Sequence, residues 1–352
     1  MDIIELMHDE WIIDENPKTV TMWYSAKRGN YNRKAFVFPR DIVIDATFAE
    51  AIGMILGDGD MHRIEKCHFT YTSKDVDISM FVLNFLRDKL LVDDKDITFV
   101  LRYRYIDPKI DELAAKLSVD KNRIKRYFSP RTNYPALHIQ VNGAVFRGVF
   151  EKIVGSFVHS DFVSDVDLRR GFLRGIFAAE GCVGVNYKEH YICSITFTLS
   201  KKEQSIADLI QKCLLIEGIS FTQSYRKSTI ETVISNWKNY LKCWNIKLFD
   251  SCSRKKEKFL SVVRDSKICA IVDSSDLKRL SEKYMQKEIA EIIDSWQGNV
   301  CRVLQGKFLL TLKQIKILEE KGFRFSIKSI RIGNLTELPW NEETRELFST
   351  TL

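Results

Sequence analysis

The sequence lacks the cysteine and histidine patterns that bind zinc or build a disulfide framework. Its 8 cysteines are scattered and include no C-x-x-C pair, which is typical of reduced thiols inside a cell. No apolar run approaches the roughly 18 residues of a membrane-spanning helix. The first residues, MDIIELMHDEWIID, are acidic and lack the basic and apolar segments of a signal peptide. We therefore expect a soluble, intracellular protein of the cytoplasm, the nucleoid or an organelle.

The positive charge of the chain is unevenly distributed. The net charge is +7 over 352 residues. Residues 251–352 hold 19 Lys and Arg against 14 Asp and Glu, so most of the surplus lies there. A basic region favours an anionic partner, most commonly nucleic acid. A solvated surface without a partner is the alternative.

Residues 1–45 are predicted to form an N-terminal extension. Its segment WYSAKRGNYNRKAFVFPR interleaves basic and aromatic residues with glycine, a composition that can follow a phosphate backbone. A partly ordered surface strand is the favoured interpretation. The residues concerned are Trp23, Tyr24, Lys27, Arg28, Tyr31, Arg33, Lys34 and Arg40.

A short pattern of glycines around one acid occurs near the start of the chain and then again. In DATFAEAIGMILGDG, Thr47 and Glu50 have capping-box spacing, and Gly59 suits the left-handed position that ends many helices. In SDVDLRRGFLRGIFAAEG, Ser164 is a plausible cap and Glu180 precedes a terminal glycine. A strand, a turn and an amphipathic helix follow each copy, with the turn signatures TYTSKDVDI and TFTLSKKEQSI. The chain thus contains one internal repeat of roughly 100 residues.

Both predicted helices carry small residues four positions apart, which places those residues on one face. Glycine within a helix costs about 0.5–1 kcal/mol relative to alanine, so two such stripes indicate that the helices approach closely. Packing about a pseudo-twofold axis would bring Asp58 beside Glu180. The stripes are Ala49, Gly53 and Gly57 in the first helix and Gly171, Gly175 and Ala179 in the second.

Two adjacent carboxylates predict a site for a divalent metal. They would repel each other and shift in pKa, and an acid at a helix C-terminus opposes the macrodipole. Mg²⁺ or Mn²⁺ relieves both problems and suits phosphodiester hydrolysis. The alternative is that both acids merely complete helix ends, which the repetition disfavours.

The segments AIGMILGDGD and FLRGIFAAEG resemble the two LAGLIDADG motifs of monomeric, pseudo-symmetric homing endonucleases. The resemblance covers about residues 46–250. It implies an α+β fold with two αββαββα halves, whose sheets form a saddle over duplex DNA. It also implies that Asp58 and Glu180 bind metal with the carbonyls of Gly57 and Ala179. The predicted boundaries are 1–45 for the extension, 46–155 and 156–252 for the halves, and 253–352 for a C-terminal region.

The family often places a lysine or glutamine near a strand end to position the attacking water. The matching positions here hold Lys74 and Lys201, each after a serine, so both are candidate catalytic residues or ordinary turn residues. The pair Cys182-Val183 stands where some relatives have lysine. The absence of lysine at this position bears on the expected rate of catalysis and leaves the predicted metal site unchanged.

Alternating polar faces of the predicted strands supply candidates for DNA contact. Arginine and glutamine can read base edges in the major groove, although a solvated sheet face is the alternative. The candidates are Arg102, Arg104, His138, Gln140, Ser220, Thr222, Ser224 and Arg226.

Residues 107–130 form a predicted insertion in the first half. Its apolar residues are spaced like a small helix-turn-helix, and Arg123, Lys125 and Arg126 make the second helix basic. Such an element could grip flanking DNA, and a helical surface insertion is equally favoured.

The C-terminal region is predicted to be all-α and to contain a helix-turn-helix similar to that of phage-repressor-like regulators. The segment MQKEIAEIIDSWQGNVCRVLQGKFLLTLKQIKILEEKG has the appropriate spacing. A plain helical tail is the alternative. Ile289, Ala290 and Ile293 would pack the first helix, and Trp296, Val300 and Leu304 the second. The groove-facing residues would be Gln297, Asn299, Arg302 and Gln305, with Lys307 near phosphate.

The sequence therefore predicts a monomeric, intron-encoded type of endonuclease that cuts both strands of a long DNA target with Mg²⁺ or Mn²⁺, leaving short 3′ overhangs as in the family. Two alternatives are a non-cleaving transcription regulator and an intron RNA maturase. Regulators of this type typically lose the acids, which this chain keeps. An intein is not expected, because the chain starts with Met1 and ends FSTTL, without the terminal His-Asn that splicing needs.

Overall fold

The computed structural model describes residues 1–6, 11–24, 34–60, 68–104, 109–130, 132–186, 191–332 and 336–349. Contacts divide the chain into two compact units. The first unit comprises Met1–Cys182, Thr196–Thr232 and Ile246–Lys256. The second unit comprises Val183–Ile195, Val233–Asn245 and Glu257–Leu352.

The described residues form a mixed α+β fold. Its strands are β1 Trp11–Glu15, β2 Thr19–Tyr24, β3 Phe36–Pro39, β4 His68–Ser73, β5 Ile97–Tyr103, β6 Ile124–Phe128, β7 Ala136–Asn142, β8 Gly181–Asn186, β9 Tyr191–Ser200, β10 Thr222–Tyr225, β11 Thr229–Ile234, β12 Ile268–Val272, β13 Leu310–Thr311, β14 Ile327–Ile332 and β15 Thr336–Pro339. Its helices are α1 Ala46–Asp58, α2 Val76–Asn84, α3 Ile110–Leu117, α4 Ala144–His159, α5 Val166–Glu180, α6 Gln204–Ile216, α7 Trp237–Asn245, α8 Ser253–Asp265, α9 Ser274–Lys283, α10 Gln286–Ile292, α11 Gln297–Leu304, α12 Leu312–Glu320 and α13 Glu342–Ser349. Within the described ranges, no helix has the length and apolar character needed to cross a bilayer.

The two repeated helices, α1 and α5, both begin at an aspartate. The Asp45 side chain accepts a hydrogen bond from the Phe48 amide at 2.8 Å, so the predicted capping box at Thr47 is wrong. Thr47 lies one residue inside the helix, where its hydroxyl comes too late to cap. Asp165 caps α5 in the same way, and the predicted cap Ser164 lies in the preceding 3₁₀ turn.

The end of α1 also differs from the prediction. Gly59 has φ −85° and ψ 145°, which is extended and not left-handed. Its amide donates to the Ile55 carbonyl at 2.9 Å, and the residue forms an antiparallel bridge with Tyr71. The chain therefore leaves the helix directly into β-pairing with β4, which places Asp58 at the junction of helix and sheet.

A four-stranded sheet in the first unit has the order β4-β7-β5-β6. Along β5, Phe99 and Leu101 are buried whereas Arg102 is exposed, which agrees with the predicted alternation. Aromatic rings hold the helices against the buried face. The Phe69 ring contacts the Phe150 ring of α4 edge-on, with the ring centroids 5.0 Å apart.

The insertion does not form two helices. Helix α3 is present, but the basic segment predicted to be the second helix is the strand β6, which pairs in parallel with β5. Arg123 ends a 3₁₀ turn, and Lys125 and Arg126 lie in the strand. The isoleucine at position 124 is buried while the four residues after it are exposed, a pattern that suits an edge strand better than an amphipathic helix.

The second repeat follows the element order α5-β8-β9-α6-β10-β11-α7, and its four-stranded sheet has the order β10-β11-β9-β8. The extension contributes a separate three-stranded sheet, β1-β2-β3. Its residues Lys27, Arg28, Tyr31 and Arg33 lie outside the described residues. Lys34 pairs with Asp96 at 2.9 Å.

The C-terminal part of the chain is not all-α, because β12 to β15 form a sheet of order β13-β12-β14-β15. Helices α10 and α11 are present in the second unit. Ile289 and Val300 are buried as expected, but Trp296 is 72% exposed. Trp296 is the residue before α11, and its ring lies over Gly298 instead of in the core. The predicted packing role of Trp296 is therefore wrong.

Candidate functional site

Helices α1 and α5 touch through their glycines. A Cβ atom at Gly53 would lie 2.5 Å from the Phe172 carbonyl oxygen, and one at Gly175 would lie 1.9 Å from the Glu50 carbonyl oxygen. Real Cβ contacts do not come this close, so each glycine faces the backbone of the other helix. At the other end of the contact, Gly171 meets the Ala46 carbonyl, where a Cβ would lie at 2.4 Å.

The C-terminal ends of the two helices meet at the acids. A Cβ at Gly57 would lie 2.5 Å from the Ala179 Cβ and 3.0 Å from the Glu180 Cγ. Asp58 follows Gly57 directly, and its charge acts on the Glu180 carboxyl, so the two acids are neighbours in the first unit. The close approach of the backbones is what positions both acids.

Burial raises the pKa of both carboxyl groups in the acid pair. Burial raises the pKa of Asp58 to about 6, with a smaller increase from Asp75, although the Lys255 ammonium opposes the change. Burial also raises the pKa of Glu180 to about 7, and the negative charge of Asp58 adds to this increase. Near neutral pH, the positive charge close to the pair is therefore too small to offset the cost of ionising both carboxyl groups.

Lys255 on α8 is a component of this site that the sequence did not reveal. It is 5% exposed, and its ammonium donates to the carbonyls of Phe177, Ala178 and Ala179 at 2.8, 2.6 and 3.2 Å. These are the last carbonyls of α5, which carry the negative end of the helix dipole. No motif or spacing marks this lysine among the basic residues RKKEK.

A buried hydroxyl lies in the same region. The Tyr71 side chain is fully buried, and its hydroxyl has no hydrogen-bond partner among the described residues. Burial raises the pKa of Tyr71 well above its ordinary value, and the charge of Asp58 adds to this effect. A buried polar atom without a partner costs free energy, so its presence indicates a group that completes the site.

These residues fit one divalent cation that prefers oxygen. Asp58 and Glu180 would supply carboxylates and Gly57 a carbonyl, and water and a substrate phosphate commonly complete the shell of Mg²⁺. The described residues contain no cluster of three or more His, Cys, Asp or Glu side chains that could hold a metal ion. The donor set thus suits a metal shared with substrate and not a closed structural site.

The two lysines predicted to act in catalysis are placed differently. The Lys74 side chain is exposed, with its ammonium 5.6 Å from the centroid of the Tyr134 ring, and its charge favours the ionised form of Asp58. Lys201 is exposed, and its backbone amide donates to the Ser228 carbonyl at 3.0 Å. The charges that act on the Glu180 carboxyl are those of Asp58, Glu203 and Lys255.

The polar face of the first sheet forms a concavity of about 280 Å³. Burial lowers the pKa of His138 to about 4, and the nearby Arg102 charge adds to the decrease, so the imidazole is neutral at physiological pH. Its Nδ1 lies 2.8 Å from the Thr72 hydroxyl. Arg104 is partly buried just beyond β5. The lining residues are Asp60, His68, Thr70, Thr72, Val100, Arg102, His138 and Gln140.

The predicted contacts on the second sheet lie on an exposed edge. Ser220 and Thr222 are exposed, and Thr222 begins β10. Arg226 pairs with the Glu231 carboxylate at 2.8 Å, and Ser224 lies 3.4 Å from the same group. A phosphate at Arg226 would have to compete with Glu231.

The candidates on α11 and after it lie in the second unit. Gln297, Arg302 and Lys307 are exposed, whereas Asn299 is half-buried. The Arg302 guanidinium lies over the Phe308 ring, 5.0 Å from its centroid.

A family model matches part of the chain. Residues 167–283 match the family model described as LAGLIDADG-like domain. This part of the chain is therefore similar to LAGLIDADG-like domains, and the match begins within α5, the helix that carries Glu180. No curated protein matches the chain.

Several solved structures are similar to part of the chain. Full-length DUF199/WhiA from Thermatoga maritima is 17% identical, over 80% of this chain and 86% of that one, with a TM-score of 0.39. The homing endonuclease I-WcaI bound to its DNA recognition sequence is 14% identical, over 62% and 87%, with a TM-score of 0.40. I-DmoI in complex with DNA and Mn is 14% identical, over 58% and 98%, with a TM-score of 0.32. One of these is a DUF199/WhiA protein and two are homing endonucleases.

The acid pair predicts an unusual dependence of stability on pH. Because the folded pKa of Glu180 is raised, the folded state holds this proton more tightly than the unfolded state does. Its contribution is then favourable at low pH and is lost as pH rises to about 7. With chelator present, Glu180→Gln is expected to raise the free energy of unfolding at pH 8 by about 2 kcal/mol, discounted for partial exposure, and to have little effect at pH 4.5.

Urea unfolding at the two pH values measures this difference. Glu282→Gln, at an exposed position on α9, is the control and should change stability little at either pH. An equal effect of Glu180→Gln at both pH values would contradict the raised pKa.

Proposed function

We propose that this protein is a site-specific endonuclease that hydrolyses both strands of duplex DNA with Mg²⁺ or Mn²⁺ and leaves short 3′ overhangs. The observation that carries the proposal is the acid pair, Asp58 and Glu180, at the touching ends of α1 and α5. A merely structural helix pair gains nothing from two partly buried acids of raised pKa, where the charge of Asp58 further opposes ionisation of Glu180. A metal-dependent nuclease of the proposed kind uses such a pair to hold its metal.

In this proposal, Asp58, Glu180 and the Gly57 carbonyl hold the metal. The bound metal would supply Lewis acidity at the phosphate and a water of lowered pKa. The protein's own groups orient the substrate around that centre. Tyr71 and Lys255 line it from inside the protein, and Lys74 is the exposed cation whose charge acts on Asp58.

The sheets β4-β7-β5-β6 and β10-β11-β9-β8 would form the DNA-binding saddle of a monomer. Arg102 and Gln140 lie on a concave polar face, where both can reach base edges. Because His138 is neutral, it can serve as a base-edge donor or acceptor and adds no charge. The α10–α11 segment would add contacts to flanking DNA through Gln297, Arg302 and Lys307, and Asn299 would support them, as in a helix-turn-helix.

One observation favours a second function, a DNA-binding regulator that does not cut. The Ala179 carbonyl, which the family resemblance makes a metal ligand, accepts a hydrogen bond from Lys255. A site with one ligand engaged in this way could retain DNA binding without hydrolysis. An intron RNA maturase would use the same scaffold with an RNA partner.

Cleavage of a randomised duplex library separates these functions. The protein is incubated with the library and Mg²⁺ or Mn²⁺, and the ends produced are sequenced. We expect ends that share one long sequence, with short 3′ overhangs, and no ends when chelator is present. Selective DNA binding without cleavage in either metal would establish the regulator instead, and preferential binding of structured RNA would favour the maturase.

A further inference from the structure

The buried ammonium of Lys255 makes the two ends of the helix pair unequal. At α5, the Lys255 side-chain nitrogen lies against three backbone carbonyls and 5.4 Å from the centroid of the Phe177 ring. At α1, the neutral amide of Gly59 donates to the Ile55 carbonyl in the last turn. Among the residues that the structure describes, the two repeated positions thus differ: the last carbonyls of α5 accept from a lysine ammonium, and the last turn of α1 accepts from a backbone amide.

The position of Lys255 is fixed by its neighbours. Arg254 forms a two-pronged ion pair with Asp75, with nitrogen–oxygen distances of 2.8 and 2.9 Å. The amide of Ser253 donates to the Asp77 carboxylate at 2.8 Å. These contacts anchor the first turn of α8 to the residues after β4, so the lysine side chain enters the site from a rigid support.

The charge of Lys255 acts on the acids as well as on the carbonyls. It favours the ionised forms of both Asp58 and Glu180. A divalent cation would do the same, and two cations that share the same anions repel each other. Lys255 therefore takes part of the role of a metal on the side of the site nearest Ala179.

We propose that Lys255 is a tethered cation that occupies the Ala179 side of the acid pair, and that the centre consequently takes one divalent metal, on the Gly57 side, instead of one on each side. The inference rests on the proposed function to the extent that it places a metal at the acids. It adds the number of ions, their side, and the group that sets both.

Binding of Mn²⁺ alone tests the proposal without any cleavage assay. The free-ion EPR signal is titrated with full-length protein at pH 7.5, in the absence of DNA. The wild-type chain is expected to bind one ion, and Asp58→Asn is expected to abolish that binding. Lys255→Met is expected to bind Mn²⁺ about tenfold more tightly, because the ion no longer competes with a fixed positive charge.

Lys256 provides a matched control on the same helix. Its ammonium pairs with Asp250 at 2.8 Å on the surface, so Lys256→Met removes the same charge and should leave Mn²⁺ affinity unchanged. Lys255→Gln is measured in parallel because it keeps a donor for the α5 carbonyls. If both Lys255 variants failed to fold, as judged by circular dichroism, the wild-type stoichiometry would still decide the question.

The outcomes separate this inference from the proposed function. Two ions per wild-type chain, or unchanged affinity in a folded Lys255 variant, would overturn the role of Lys255 and leave a metal-dependent nuclease intact. If neither the wild type nor the Lys255 variants bound Mn²⁺ at millimolar concentrations, the metal site itself would fall, and the proposed function with it.

Discussion

Replacing Asp58 by asparagine is expected to reduce DNA cleavage by roughly a thousandfold, which corresponds to about 4 kcal/mol in the activation free energy, while DNA affinity in the presence of Ca²⁺ changes less than about threefold. Asparagine has the shape of aspartate but no negative charge, so it weakens the proposed metal site and leaves the helix pair in place. Glu180→Gln should behave in the same way.

Cleavage rates and DNA dissociation constants of the purified variants measure this effect. Asp208→Asn is the matched control, because Asp208 is exposed on α6 and bonds to Gln204; it should cut at the wild-type rate. Normal cutting by both Asp58→Asn and Glu180→Gln would show that the acids are not the metal ligands. Loss of cutting together with loss of DNA binding would place these residues in the DNA interface instead.

The second large effect is expected at Gly175, where alanine should destabilise the protein by about 3 kcal/mol or more. The added Cβ would lie 1.9 Å from the Glu50 carbonyl oxygen and 3.0 Å from the Met54 amide nitrogen. Both are backbone atoms of α1, so no side chain can rotate away and the helices must separate. In urea unfolding, this appears as a large decrease in the midpoint.

Gly155 provides the matched control for the substitution of Gly175. It also lies inside a helix, α4, but a Cβ there would meet nothing within 4 Å. Gly155→Ala should therefore stabilise the protein by up to about 1 kcal/mol through helix propensity alone. If the two alanine variants changed stability by the same amount, the contact between α1 and α5 would not depend on its glycines.

The sequence predicted those parts of the structure that depend on local pattern. The 3.6-residue periodicity located α1, and the alternation of buried and exposed residues in β5 was correct. The N-cap of α1 was predicted wrongly, because Asp45 and Thr47 are both good acceptors and only the backbone geometry selects one of them. The prediction of a second helix in the insertion was wrong. A short segment such as IKRYF suits a helix or an edge strand equally, and its pairing with β5 makes it a strand.

Only those residues of the candidate site that belong to the internal repeat could be predicted from the sequence. The helix glycines and their acids recur at the same spacing, so two distant segments pointed to one another. Lys255 and Tyr71 occur once, and nothing in their neighbours marks them. Their importance arises from tertiary contact alone, which one sequence does not reveal. Trp296 shows the converse: its spacing suggested a core residue, but its position before α11 left it exposed.

The glycine contacts between α1 and α5 also fix the position of each helix along the axis of the other. Carbonyl groups of one helix fit only where the other has no Cβ, so sliding either helix by one residue, about 1.5 Å, would drive side chains into backbone. The spacing between the two carboxyl groups is therefore set within the helix pair itself. It should persist when the proposed DNA duplex binds, so the contacts with DNA can vary while the distance between the acids stays constant.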